Sequence, residues 1–169
     1  MHFVDLIKEE CSKNSIKRFA MFVDMDGVLA DLKVGDGRAI RNKIKGMFLA
    51  QRPVMYTINI FKELKNVPNL DLFILSACYD IEQSKNKSRW LDQHAPFFDH
   101  NKRYFVIREV DNYPEEDKMD VKGKYIKRII EEQNYDFAYF IDDTYQMLQS
   151  AQDLLQDKIK CFYISSIID

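Results

Sequence analysis

Cysteine is scarce. Cys11, Cys78 and Cys161 are an odd number with no paired spacing, so they read as reduced thiols and not as a disulfide framework. The three histidines have no ligand spacing to any cysteine, which removes a zinc site of that kind. No apolar run approaches the roughly 18 residues that a membrane helix requires. The first residues carry Asp5, Lys8, Glu9 and Glu10 where a secretory peptide would have its apolar core, so a cytoplasmic protein without membrane attachment is expected. The five glycines form no glycine-rich phosphate loop, which closes that route to nucleoside triphosphates. Excess charge is missing too: 25 basic against 27 acidic residues give a net −2, which names no partner. There is no internal repeat, low-complexity tract or domain linker. What is present is 169 residues, 46% of them hydrophobic, enough for one domain with a sizeable core.

One stretch stands out from that background. Ala20 to Val23 is apolar but too short for a helix, and it ends in Asp24 and Asp26, one residue apart. Gly27 follows, and glycine permits a sharp turn with unusual backbone angles. A buried strand that delivers Asp-x-Asp to its carboxyl end places two acids where open α/β sheets bind ligands. Alternation sends successive strand residues to opposite faces, but at a frayed strand end both acids can converge. Two carboxylates held together repel. They need a cation, a proton, or a reaction that uses them differently.

The remaining chain alternates between two periods. Helical spacing covers 3–13, a helix from Pro53 through Leu64, Ile81 to His94, Lys122 to Asn134 and Gln146 to Leu155. Strands are expected at Leu70–Leu75, Tyr104–Ile107, Phe137–Ile141 and Ile159–Ile164, with 108–121 as a polar loop. This order predicts a single α/β domain spanning 1–169: a mostly parallel central sheet with helices on both faces. A short cap insertion is expected near 32–52. There Ile40, Ile44, Met47 and Phe48 share one helical face, and six basic residues meet a single acid, Asp36. Such a run either forms a solvated face or covers the site and attracts an anion.

In a parallel sheet the carboxyl ends of all strands lie on one edge, so Asp24 and Asp26, Ser76, and Asp142 and Asp143 should meet in one crevice. Acids around one point suit a hard, oxygen-liking cation such as Mg²⁺. With a metal screening the anions, a carboxylate can attack phosphorus to give an aspartyl-phosphate. A second acid can protonate the leaving oxygen and then deprotonate the incoming water. A hydroxyl and a lysine would hold the phosphoryl oxygens. Ser76 supplies the hydroxyl and Lys122 is the preferred lysine, with Lys118 and Lys124 as alternatives. Asp31, Tyr79 and Arg89 are open as substrate contacts or structural residues.

The string Asp24-Met-Asp26-Gly27-Val-Leu-Ala-Asp31 resembles motif one of the haloacid dehalogenase superfamily of phosphotransferases. Leu75-Ser76 resembles motif two, Lys122-Gly123 motif three, and Phe140-Ile141-Asp142-Asp143 motif four, in order over roughly 19–165. The resemblance implies a three-layer Rossmann-like fold. It implies Asp24 as nucleophile and metal ligand, and Asp26 as general acid/base that also offers its backbone carbonyl to the metal. It further implies Asp142 or Asp143 as completing the Mg²⁺ site, with Ser76 and Lys122 on the phosphate. Response-regulator receivers use similar residues in another order, which argues against that fold.

Two branches look close. Phe48–Leu64, Leu75-Ser76-Ala77 and the stretch Lys87-Ser-Arg-Trp90-Leu with His94 are similar to nucleotidases that dephosphorylate (deoxy)nucleoside monophosphates, although those usually carry a longer cap. The phosphatase domain of polynucleotide kinase-phosphatases shares the lysine–tryptophan helix and an Ile-Asp-Asp motif, which would make nucleic-acid 3'-ends the substrate. The resemblance thus implies a Mg²⁺-dependent phosphomonoester hydrolase whose partner is a small phosphorylated substrate, a nucleotide first. A polynucleotide 3'-phosphatase and a catalytically silent binding module of the same fold are the alternatives. Oligomeric state is not readable from the sequence.

Overall fold

The computed structural model describes residues 2–31 and 46–168. Helix α1 (Phe3–Lys13) precedes strand β1 (Phe19–Val23), and helix α2 (Met55–Leu64) leads to β2 (Leu70–Cys78). Helix α3 (Ile81–His94), β3 (Arg103–Ile107), helix α4 (Val121–Glu132), β4 (Phe137–Asp142), helix α5 (Tyr145–Leu155) and β5 (Ile159–Tyr163) complete the order. The five strands form one sheet in the order β3-β2-β1-β4-β5, and every pairing is parallel. The α/β class and the mostly parallel sheet expected from the sequence are therefore found.

Strand alternation divides the core into two halves. Met21, Val23, Leu72, Ile74, Tyr139 and Ile141 face the layer that contains α1, α2 and α3, with Trp90 fully buried among them. Ala20, Phe22, Phe73, Leu75, Ala138 and Phe140 face the layer of α4 and α5. Both faces being covered explains why the strands read as apolar runs and not as alternating patterns. The chain begins in the middle of the sheet, goes outward to β3 and returns beyond β1 to β4. Between β1 and β4 lies the topological switch point, where open sheets of this type hold ligands.

Several boundaries differ from the sequence reading. Strand β2 runs to Cys78, because Ser76, Ala77 and Cys78 pair with Phe105, Val106 and Ile107 on β3. Pro53 does not open the helix: it bridges Ala30, and α2 starts two residues later behind Val54. The segment read as a loop after β3 contains a helical turn, Arg108–Asp111, and a 3-10 turn, Glu115–Asp117. The expected cap at 32–52 lies outside the described residues except for 46–52, where Met47–Ala50 form a 3-10 turn.

Helices α4 and α5 cross closely at Gly123. A Cβ there would stand 3.2 Å from Ala151 Cα on α5, backbone that cannot swing aside. Gly123→Val should therefore lower unfolding stability by about 1–3 kcal/mol through overpacking, read as a shift of the urea midpoint at unchanged slope.

Candidate active site

The register of β1 and β4 builds the centre of the site. Val23 is level with Ile141, and the Asp24 N–H donates to the Ile141 carbonyl at 3.0 Å. Asp24 and Asp142 thus end neighbouring strands at one height, and alternation turns both toward the α4 layer. Lys122, on the first turn of α4, reaches up between them. Its Nζ donates to Asp142 Oδ2 at 2.6 Å and lies 3.0 Å from Asp24 Oδ1. All three groups are buried. The second Asp142 oxygen, Oδ1, accepts from the Thr144 N–H at 2.7 Å.

Asp143 borders the cleft and accepts from Thr144 Oγ1 at 3.2 Å. Its other oxygen lies against Gly27: a Cβ on Gly27 would come within 2.2 Å of Asp143 Oδ2. Gly27 also sits at φ +75°, in the left-handed region, inside the turn that joins Asp26 to Ala30. Glycine is required there twice over, once for the backbone and once for the carboxylate.

The residues fit a divalent cation. Asp24, Asp142 and Asp143 each bring a carboxylate oxygen within 4.8 Å of the others. Asp24 Oδ1 is in ion contact with Lys122 but has no aligned hydrogen bond. Among the described residues only one other buried side-chain oxygen is left this way, Gln51 Oε1 in the cleft wall. Four carboxylates, Asp24, Asp26, Asp142 and Asp143, stand around two buried ammonium groups, Lys87 and Lys122. An all-oxygen donor set of this kind suits a hard divalent cation. Burial pushes the Asp24 carboxyl up to about 6; Lys122 opposes the shift, while Asp142 and Asp26 add to it. Burial alone would depress the Lys122 ammonium, but Asp142 and Asp24 outweigh it and raise its pKa.

Asp26 and Ser76 lie differently from their companions. Asp26 borders the cleft, but its Oδ2 is bound by the Lys87 ammonium. Ser76 does not border the cleft. It shares a strand face with Ile74, on the α3 side, and its hydroxyl oxygen accepts from Lys87 Nζ at 2.8 Å. Of the three lysines weighed from the sequence, Lys122 is at the carboxylates. Lys118 is at the cleft rim beside Glu115, and Lys124 pairs with Asp117 outside the cleft. Tyr79 borders the cleft, whereas Asp31 and Arg89 do not.

Lys87 is the residue that sequence reasoning passed over as a site group. It is fully buried, and its third hydrogen bond goes to the Ala77 carbonyl at 2.8 Å. A signal existed: Ser84, Lys87, Trp90 and Leu91 have helical spacing, so a lysine falls within the buried stripe of α3. Around these groups opens a cleft of about 240 Å³, whose outer wall includes Tyr79, Gln83, Arg108 and Tyr113.

Two outcomes follow from this geometry. Gly27→Ala should displace Asp143 and strain the turn, weakening Mg²⁺ binding by about tenfold or more, the equivalent of roughly 1.4 kcal/mol, in titration calorimetry. The raised Asp24 carboxyl holds a proton below about pH 6, and a cation must displace it. Mg²⁺ affinity should therefore fall by about tenfold per pH unit as pH drops from 6 to 5, and flatten above 6.

No family model matches the chain, and no curated protein matches it by sequence. Among solved structures, the class C acid phosphatase from Bacillus anthracis, determined with tungstate bound, aligns over 96% of this chain and 74% of its own, with a TM-score of 0.53 and 14% identity. The haloacid dehalogenase domain of the effector protein Lem4 from Legionella pneumophila aligns over 86% of each chain, with a TM-score of 0.49 and 15% identity. The likeness to the acid phosphatase, together with the all-parallel five-strand sheet covered by helices on both faces, establishes the fold of this chain as the Rossmann-like haloacid dehalogenase fold.

Proposed function

We propose that this protein is a divalent-metal-dependent phosphomonoester hydrolase that works through an aspartyl-phosphate on Asp24. The observation that carries the proposal is the Asp24 carboxylate itself. It is held at the switch point of the sheet, borders the cleft, and stands between Lys122, Asp142 and Asp143 with one oxygen lacking a hydrogen bond. Asp24, Asp142, Asp143 and the backbone carbonyl of Asp26 would hold Mg²⁺. When bound, that ion supplies the charge neutralisation that lets a carboxylate approach a phosphoryl dianion.

The chain's own groups then divide the work. A carboxylate oxygen of Asp24 forms a bond to phosphorus while the bond from phosphorus to the ester oxygen breaks. Asp26 gives its proton to that oxygen, so the alcohol leaves neutral. In the second half a water attacks phosphorus, Asp26 takes the water's proton, and the Asp24–phosphorus bond breaks to release phosphate and restore both carboxyl groups. Lys122 neutralises charge on the phosphoryl oxygens throughout. Ser76 enters one step back, through the ammonium of Lys87.

For the substrate we propose a (deoxy)nucleoside monophosphate or a similar small phosphate ester. The cleft of about 240 Å³ has two tyrosines, Tyr79 and Tyr113, and Arg108 along its outer wall, which suits a planar, polar leaving group. Phosphate release from nucleoside monophosphates, sugar phosphates and a 3'-phosphorylated oligonucleotide, with Mg²⁺ and with EDTA, is the test. Release should need Mg²⁺, favour the nucleotides, and disappear in Asp24→Asn, a loss of at least about 10³-fold for removal of the nucleophile. Release mainly from the oligonucleotide would transfer the reading to a polynucleotide 3'-phosphatase. Equal rates for wild type and Asp24→Asn would mark a silent binding module.

A further inference from the structure

The mechanism above leaves one buried charged group without a task. Lys87 projects from α3, in the layer opposite to that of Lys122, and none of its surface is exposed. An ammonium has three N–H donors, and each has an acceptor here. One goes to Asp26 Oδ2, one to Ser76 Oγ at 2.8 Å and one to the Ala77 carbonyl at 2.8 Å. Phe48 covers it from the 3-10 turn Met47–Ala50, with the ring centre 5.0 Å from Nζ. Phe48 in turn packs edge-on against Trp90, and Trp90 Nε1 donates to the Gln51 carbonyl at 2.9 Å. The ammonium is thus fixed from every side. Asp26, in contrast, has a partly exposed side chain and borders the cleft. No hydrogen bond to its other oxygen, Oδ1, is seen among the described residues.

We propose that Lys87 is a positioning residue for the proton transfer. By binding Oδ2 it fixes the rotation of the Asp26 carboxyl group and leaves Oδ1 as the oxygen that meets the ester oxygen of the substrate. A carboxyl group on a short turn would otherwise rotate about its terminal torsion, a broad two-fold well. Lys87 is too deeply buried, and its donors too fully occupied, to bind the phosphoryl group itself. Its role is exerted through Asp26, and Ser76 and Ala77 serve to hold it. The inference rests on the phosphomonoesterase reading.

Leaving groups separate this role from a structural one. Phenyl phosphate needs a proton on its departing oxygen, whereas 2,4-dinitrophenyl phosphate releases a stable anion and needs none. The value of kcat/KM reports the steps up to loss of the leaving group, where the proton is delivered. Lys87→Met should lower kcat/KM by about 30-fold or more on phenyl phosphate and by less than about 3-fold on 2,4-dinitrophenyl phosphate, since general acid catalysis contributes roughly 10²–10⁴. The retained dinitrophenyl activity also reports that the variant is folded. Lys87→Gln, one atom shorter but with two N–H donors on its amide, serves if the methionine variant does not fold, and should recover part of the phenyl phosphate activity where both can be compared. In an Asp26→Asn background, Lys87→Met should cause no further loss on phenyl phosphate, because the group it positions is gone. Equal losses on the two substrates, or full additivity with Asp26→Asn, would overturn the assignment of Lys87 while leaving the phosphatase reading intact. Absence of release by the wild type on both esters would overturn that reading and this inference with it.

Discussion

The site depends on one ion cluster, Lys122 between Asp24 and Asp142. Two carboxylates at the ends of adjacent parallel strands, level in register and turned to one face, could not both be charged in a dry crevice without a cation between them. Taking such groups out of water costs several kcal/mol per ion, and the attraction offsets this only if the remaining lone pairs are served. Asp142 is served, by Lys122 and by the Thr144 N–H. Asp24 has the ion contact with Lys122 but no aligned hydrogen bond at Oδ1, and burial raises its carboxyl to about 6. The cluster is therefore stable enough to be built, yet leaves one Asp24 oxygen without an aligned hydrogen bond. That shortfall is what a cation and a phosphoryl group would relieve.

Strand parity distributes the other groups. On β1 and β4 the residues after the last apolar ones point into the α4 layer, so Lys122 serves them. On β2 the extra length carries Ser76 to the α3 layer, where Lys87 serves it. Two ammonium groups thus enter from opposite sides of the sheet, one beside Asp24 and one beside Asp26. Asp26 lies past the end of β1, in a turn closed by hydrogen bonds from Gly27 and Ala30, and strand alternation no longer dictates where it points. Its contact with Lys87 does.

This is also why the fold was legible in the sequence and the site only partly so. Short apolar runs, two of them ending in acids, separated by stretches of helical spacing, suffice for a parallel sheet with covered faces, and the helix expected over Ile81–His94 has those bounds, capped by Asp80. Asp24, Lys122, Asp142 and Asp143 could be grouped because each stands at an element's end on one sheet edge. Ser76 misleads because hydrophobicity stops there while pairing does not: the strand continues wherever β3 offers partners. Lys87 is hidden because a lysine in a polar helix reads as a solvated charge. Only the acids delivered from elsewhere in the chain make its burial tolerable, and no local pattern encodes them. Pro53 belongs with these, since the tertiary bridge to Ala30 claims it before the helix begins.

The base of the insertion has a consequence for how this domain varies. Asp31 N–H donates to the Arg52 carbonyl at 2.8 Å, Val54 N–H to the Leu29 carbonyl at 2.8 Å, and Ala30 bridges Pro53. The two chain ends are stitched together before the intervening residues are counted. Closing a longer loop on such a stitched base costs only about 0.6 kcal/mol for each doubling of its length. Length between Asp31 and Arg52 is thus nearly neutral to the domain, since the base closes without it. Insertions and deletions can accumulate there while the carboxylates and lysines of the cleft keep their places.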